Sequence, residues 1–375
     1  MRLRARLGKK HCKSKNGTLV GCLQTRRVIE AASSIRLRRH ITSYFDVGGF
    51  RSAVFVHAMW RTGSTYLWSK FRERREYCAF YEPLNEALLD LTVNDKGSVK
   101  DCARLGHPSL AQPYFTEYPV EAAGGVPGLV SRLCYRDYCI ETDADDSDLS
   151  RYLQRLMVEA RSRGQIPMFQ FNRSLLRTGW MRRRFVGGHI LLLRNPREVW
   201  TSFEATSTYF AGAICLILGQ NRDHRWLRPI AARWGIPRFC DKEIGREMKF
   251  YRRLSTQLGA EMYAVFHAFY ILTIIYNLRH VDMVIDMNIV SSSSEGRRSI
   301  EMALQSAGVA LSLADCRLPS RPVKDCGQWE PVERENIGFL RDYLMAELQL
   351  RRAAYEQRIG WVSGELRSAI EAFVV

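Results

Sequence analysis

A turn, Arg61-Thr62-Gly63-Ser64-Thr65-Tyr66, lies between an apolar run, Ala53 to Val56, and the start of a helix-like segment. A strand, a tight turn and a helix N-terminus in that order aim backbone N–H groups at an anion. Against the phosphate-loop pattern G-x-x-x-x-G-K-[ST], Gly63 and Thr65 match, but Ala58 replaces the first glycine and Ser64 replaces the lysine. The positive charge sits instead at Arg61, two residues before Gly63. This chemistry holds a phosphate or a sulfate, without the parts that grip a triphosphate and its metal.

A second anion site is written further on. Ile190 to Leu193 reads as a buried strand with Arg194 at its carboxyl end. Asn195-Pro196 marks a turn, and proline at the first helical position costs no hydrogen bond. A helix from Pro196 carries Ser202, eight residues after Arg194, toward the same groove. An arginine and a hydroxyl suit a phosphate monoester. Ligands of open α/β sheets bind at the carboxyl ends of strands, and both motifs fall there. Between them, Tyr81-Glu82-Pro83-Leu84 ends another strand-like run, and Glu86 follows Glu82 by four residues.

These segments, taken together and in this order, resemble the sulfotransferases that use 3′-phosphoadenosine 5′-phosphosulfate (PAPS). In that family a loop of the type [RK]-[ST]-G-[ST]-[ST] holds the 5′-phosphosulfate, here Arg61 to Thr65. A strand ending in R-[ND]-P-R, with a serine eight residues after its first arginine, holds the 3′-phosphate, here Arg194 and Ser202. Glu82 lies 21 residues after Arg61, the interval of the catalytic glutamate in the tyrosylprotein branch, and Tyr81 to Leu84 reproduces a segment of the carbohydrate branch. The resemblance implies a P-loop-NTPase-like sulfotransferase fold. It also implies an enzyme that takes PAPS as donor, releases PAP (3′-phosphoadenosine 5′-phosphate), and sulfates a saccharide or glycolipid hydroxyl with no metal required. Tyrosylprotein sulfation is the nearest alternative. A P-loop nucleotide kinase and a basic nucleic-acid-binding protein are the more distant ones.

The resemblance also assigns roles. Backbone amides from Thr62 to Tyr66 cradle the 5′-phosphate, and Ser64 and Thr65 add hydroxyls. Arg61 neutralises charge growing on the bridging oxygen, and Glu82 accepts the acceptor proton, with Glu86 as the substitute base. Arg321 and Lys324, in a basic loop near the C-terminus, are expected at the 3′-phosphate. One departure from the family is Asp286-Met287-Asn288, where a Y-E-D-L-like segment is common.

Composition and length bound the rest. A chain of 375 residues with 46% hydrophobic content builds a large core. The net charge of +17 is uneven: residues 1 to 40 hold twelve Lys or Arg against one acid, Glu30. The expected organisation is a flexible basic arm over residues 1–48 and a sulfotransferase domain over 49–375. Acceptor-side insertions are expected at about 92–148 and 205–245. The arm has the makings of a contact with an anionic surface, but no specific nucleic-acid partner is expected, and the sequence gives no oligomeric state. No signal peptide or membrane anchor is evident, which favours a bacterial cytoplasmic enzyme. The ten cysteines form no C-x-x-C pair and read as free thiols. Alternating strand and helix patterns predict an α/β fold with a central parallel sheet flanked by helices. Gly259 to Leu278 reads as a buried core helix. Ala205 to Lys242 reads as irregular, with Trp226 and Trp234 facing an acceptor, and Asp143 to Asp148 reads as a solvated linker.

Overall fold

Five short runs become strands: Val54–Ala58 (β1), Tyr77–Tyr81 (β2), Ile166–Phe171 (β3), Gly188–Leu193 (β4) and Met283–Asp286 (β5). All their residues except Ile166 are buried, as befits a parallel sheet covered on both faces. The computed structural model describes residues 47–96, 110, 112–318, 329–348, 362 and 364–373. In it the strands pair in parallel, in the order β2-β3-β1-β4-β5. The chain therefore has the α/β class expected of it, with a central all-parallel sheet between helices. Arg321, Lys324 and nearly all of the basic arm lie outside the described residues.

The main helices, in chain order, begin with Val47–Ser52 (α1), Ser64–Arg72 (α2), Ser147–Ser162 (α3), Thr178–Arg184 (α4) and Pro196–Glu204 (α5). Tyr209–Gln220 (α6), Arg228–Arg233 (α7), Ile244–Leu258 (α8) and Glu261–Asn277 (α9) follow. They form two cores. Successive side chains of a strand point to opposite faces, and β4 shows the consequence. Leu191 and Leu193 pack with α5, α6, α8 and α9, whereas Ile190 and Leu192 pack with α2, α3 and most of β1 to β3.

The described residues correct three expectations. Ala205 to Lys242 is not irregular: it contains α6 and α7, and α6 is buried along nearly its whole length from Gly212. A Cβ at Gly212 or Gly219 would strike Arg252 or Tyr251, so these glycines let α6 and α8 lie close. Trp226 is core, edge-on to Tyr276, and half-buried Trp234 packs against Phe339, so neither offers an open aromatic face. The Asp143 to Asp148 stretch is partly structural. Asp146 caps α3 by accepting from the Leu149 N–H at 3.0 Å, and Arg132 pairs with Asp137, Asp146 and Asp148. Part of the expected 92–148 insertion also packs on the sheet, with the Tyr118 hydroxyl donating to the Tyr81 carbonyl at 2.9 Å.

α9 is buried and apolar as expected, but at 17 residues it is short. No single helix among the described residues is long and apolar enough to cross a membrane; α8 and α9 together have the composition, bent by 115°.

Candidate functional site

The carboxyl ends of β1 to β4 carry the candidate residues. β1 runs out at Ala58, and Met59 to Gly63 turn the chain into α2. Gly63 takes φ 93°, which only glycine adopts freely, and a Cβ there would lie 3.0 Å from Met287. Thr62 is fully buried, and its hydroxyl fastens the turn by donating to the Met59 carbonyl at 2.7 Å. No side chain caps the start of α2, and its first turn has no acid. The N–H groups of Ser64, Thr65 and Tyr66 therefore have no partner within the helix, and the helix dipole favours an anion there.

Two non-glycine residues among those described have left-handed backbone: Arg61 at φ 68° and Glu82 at φ 45°. Such outliers cost about 1–3 kcal/mol each and gather at functional sites. Both stand just beyond a strand, β1 and β2 respectively, and both were singled out from the sequence.

The two anion motifs meet. Arg61 Nε donates to Ser202 Oγ at 2.9 Å, and Arg194 Nη1 donates to the Arg61 carbonyl at 3.2 Å. Arg194 is 5% exposed and also pairs with Glu198 one helical turn on, at 2.9 Å. The backbone at Arg194 is pinned from α9, where the Tyr270 hydroxyl bonds both its N–H and its carbonyl. Asn288 holds the next turn: its side-chain oxygen accepts from the Asn195 N–H and its amide donates to Glu198, each at 2.8 Å. Thus the segment that departs from the family pattern braces the Arg194 loop.

On the other side of the loop, Ser64 Oγ donates to Asn172 Oδ1 at 3.2 Å, and Asn172 Nδ2 donates to Glu82 Oε1 at 2.7 Å. Thr65 Oγ1 and the Tyr81 hydroxyl share a hydrogen bond at 3.0 Å. Tyr66 turns away to Asp315, so only its backbone faces the turn. Glu82 is buried and ion-paired to Arg173 Nη1. Arg173 Nη2 reaches Glu86 at 2.5 Å and the hydroxyls of Tyr135 and Tyr209 at 3.0 and 2.8 Å. Glu82 and Glu86 are therefore joined through Arg173 and not along one helix face, because Glu82 is left-handed and Asn85 caps the short turn Glu86–Leu88.

One guanidinium between two carboxylates leaves a net negative charge in a buried place. Burial pushes the Glu86 carboxyl up, but Arg173 and the Tyr209 hydroxyl outweigh it and hold the group below its usual range. Burial also drives the Tyr135 and Tyr209 hydroxyls up, so both remain protonated donors at neutral pH.

Asn172, Arg173, Tyr135 and Tyr209 were not expected here. Asn172-Arg173 follows β3 directly, so the rule that marked Arg194 at the end of β4 marks Arg173 as well. The tyrosines arrive from a loop and from α6, and no local pattern announces them. His57 and His189, on the strands themselves, are buried and bonded to each other at 3.0 Å, with His57 also bonded to Ser174 at 2.7 Å. No group of His, Cys, Asp or Glu able to hold a metal occurs among the described residues.

Beside this cluster opens a cleft of about 870 Å³, with Glu86 at its inner wall and Lys242, Lys249, Arg252 and Arg253 around it. Neither Arg61 to Tyr66 nor Arg194 lines it. Its link to the loop runs through Glu86, Arg173, Glu82, Asn172 and Ser64.

No family model, no curated protein and no solved structure matches the chain.

Proposed function

We propose that the protein is a sulfotransferase that moves the sulfuryl group of PAPS to a hydroxyl of a saccharide or glycolipid. One observation carries the reading. Arg61 and Arg194, 133 residues apart, share a hydrogen bond, and Ser202 bonds the same Arg61. A nucleotide with a phosphate at each end needs two such cationic points on one sheet edge.

The residues fit the donor. Gly63 lets the turn close against Met287, and the uncapped N-terminus of α2 offers N–H donors for the 5′-phosphosulfate. Arg194 and Ser202 take the 3′-phosphate, Arg194 while still held by Glu198. PAPS supplies an activated sulfur, whose bond to the bridging phosphate oxygen breaks as the acceptor oxygen bonds to it. Arg61 offsets the charge that grows on that bridging oxygen. Glu82 takes the acceptor proton, and Asn172 orients its carboxylate toward the loop at Ser64. Arg173 pairs with the other carboxylate oxygen of Glu82 and fixes its position. The reading extends to a reducing compartment, the bacterial cytoplasm, supported by free Cys78, Cys134, Cys139, Cys215, Cys240 and Cys316.

The test is calorimetry of the full chain with PAP and with ATP, followed by a labelled-PAPS screen of saccharides, glycolipids and tyrosine peptides. PAP should bind at least tenfold more tightly than ATP. Transfer should fall about 100-fold or more in Glu82→Gln while PAP affinity stays within about twofold. Preference for ATP with magnesium would replace this reading with a kinase.

A further inference from the structure

The cleft beside Glu86 has a one-sided charge. Gly245, Lys249, Arg252, Arg253 and Thr256 fall on one face of α8, while Glu247, Met248, Tyr251 and Ser255 are buried. Arg252 donates to Thr208 at 3.1 Å across the cleft. No carboxylate pairs with Lys242, Lys249, Arg252 or Arg253 among the described residues. Of the three acids on the wall, Glu243 pairs with Arg246, Glu86 shares Arg173 with Glu82, and Asp90 has no ion-pair partner among the described residues. Four cations therefore face at most two uncompensated negative charges.

The remaining lining narrows the ligand. Ser131, Thr208 and Thr256 offer hydroxyls, and only Leu89, Ile244 and Met248 contribute large apolar side chains. No aromatic residue lines the cleft. A tyrosine acceptor wants an apolar slot for its ring, and single-stranded nucleic acid wants aromatic faces for its bases. A sugar chain bearing carboxylates or sulfates needs what the wall supplies, cations and hydroxyls.

We infer that this cleft binds an anionic oligosaccharide. On the sulfotransferase reading, it grips acidic groups of the acceptor beside Glu86, which Arg173 joins to the base Glu82. The cations then act on the acceptor's own charge and not on the donor, whose phosphates are held at Arg61 and Arg194.

The test uses the full chain and a labelled polyuronate hexasaccharide, its methyl ester, and a polyglutamate peptide of equal charge, read by fluorescence anisotropy. The polyuronate should bind at least tenfold more tightly than the ester and the peptide, and should weaken steeply with salt. The triple variant Lys249→Ala, Arg252→Ala and Arg253→Ala should lose at least tenfold for the polyuronate and less than twofold for PAP. Lys249 and Arg253 are exposed, whereas Arg252 also lies against Gly212 of α6, so circular dichroism checks the fold of the triple variant. The double variant Lys249→Ala with Arg253→Ala, which spares that contact, should still lose several-fold for the polyuronate.

Equal binding of the ester, tighter binding of the peptide, or polyuronate binding that survives in the triple variant overturns the inference. In the last case the contact belongs to another basic region, such as the N-terminal arm. The two readings fail separately. Polyuronate binding without PAP binding removes the donor assignment and keeps the cleft, whereas PAP binding without polyuronate binding does the reverse.

Discussion

Replacing Arg194 with Ala removes one guanidinium that reaches both Glu198 and the Arg61 carbonyl. If it also holds the 3′-phosphate, the lost charge-assisted bond is worth about 1.5–3 kcal/mol. That converts to a loss of roughly 10- to 150-fold in PAP affinity. Adenosine 5′-phosphate, which lacks the 3′ group, should change by about twofold or less. The structure adds a second expectation. Without Arg194, Glu198 keeps only its Asn288 partner among the bonds seen here and faces the 3′-phosphate as a like charge. Adding Glu198→Gln to Arg194→Ala should then recover part of the loss, about threefold to tenfold at low salt. The assay is calorimetry with both nucleotides against the wild type, the two single variants and the double variant. Equal losses for PAP and adenosine 5′-phosphate would show that Arg194 only shapes the loop, through its bond to the Arg61 carbonyl. Recovery absent at every salt concentration would place Glu198 away from the phosphate.

Other outcomes follow from named contacts. Gly63→Ala puts a Cβ at φ 93° and 3.0 Å from Met287, so PAP affinity should fall at least tenfold, with stability reduced by about 1–2 kcal/mol in urea unfolding. Arg173→Met strands Glu82 and Glu86 without their cation and should cost about 3–5 kcal/mol. Adding Glu82→Gln and Glu86→Gln should return part of that stability. His57 is pushed down by burial to about 3 from 6.5 in the unfolded chain, so the unfolded state binds the proton first. Its contribution to stability is present above pH 6.5 and is lost as pH falls from there toward 3, with a slope of up to about 1.4 kcal/mol per pH unit. His57→Asn should flatten that part of a denaturation series, and an unchanged slope would refute the assignment.

The strands that carry the site were legible because each is a short, mostly apolar run, buried but for Ile166, and a run of that kind stands out in any chain. Arg61 and Arg194 were legible because their neighbours, Gly63 and Asn195-Pro196, are turn residues with a mechanical reason to be there. Arg173 was passed over. It follows β3 without a glycine or proline to mark it, and its importance comes from two carboxylates and two tyrosines that only tertiary packing gathers. The segment 205–242 was misread because α6 is apolar on every side, so it has no 3.6-residue rhythm to betray a helix. Its helical state rests on burial between α8 and α9, a condition a local window cannot see.

Arg61 offers a sharper separation of folding from function. A sequence selected for stability alone would place glycine at φ 68°, since glycine enters the left-handed region without steric cost. Arg61→Gly should remove about 1 kcal/mol of strain and add back up to about 1 kcal/mol of chain entropy, while losing one part-buried hydrogen bond to Ser202 worth about 1 kcal/mol. The net change in urea unfolding is expected within about 1 kcal/mol of zero. Sulfuryl transfer, by contrast, should fall about 100-fold or more, because no other described side chain in the 59–66 turn carries a positive charge. Arg61→Lys restores the charge without the planar fork that meets Ser202, so it should recover part of the rate. A fall in stability beyond about 2 kcal/mol with transfer intact would make Arg61 a structural residue, and the strain at its backbone would then need another cause.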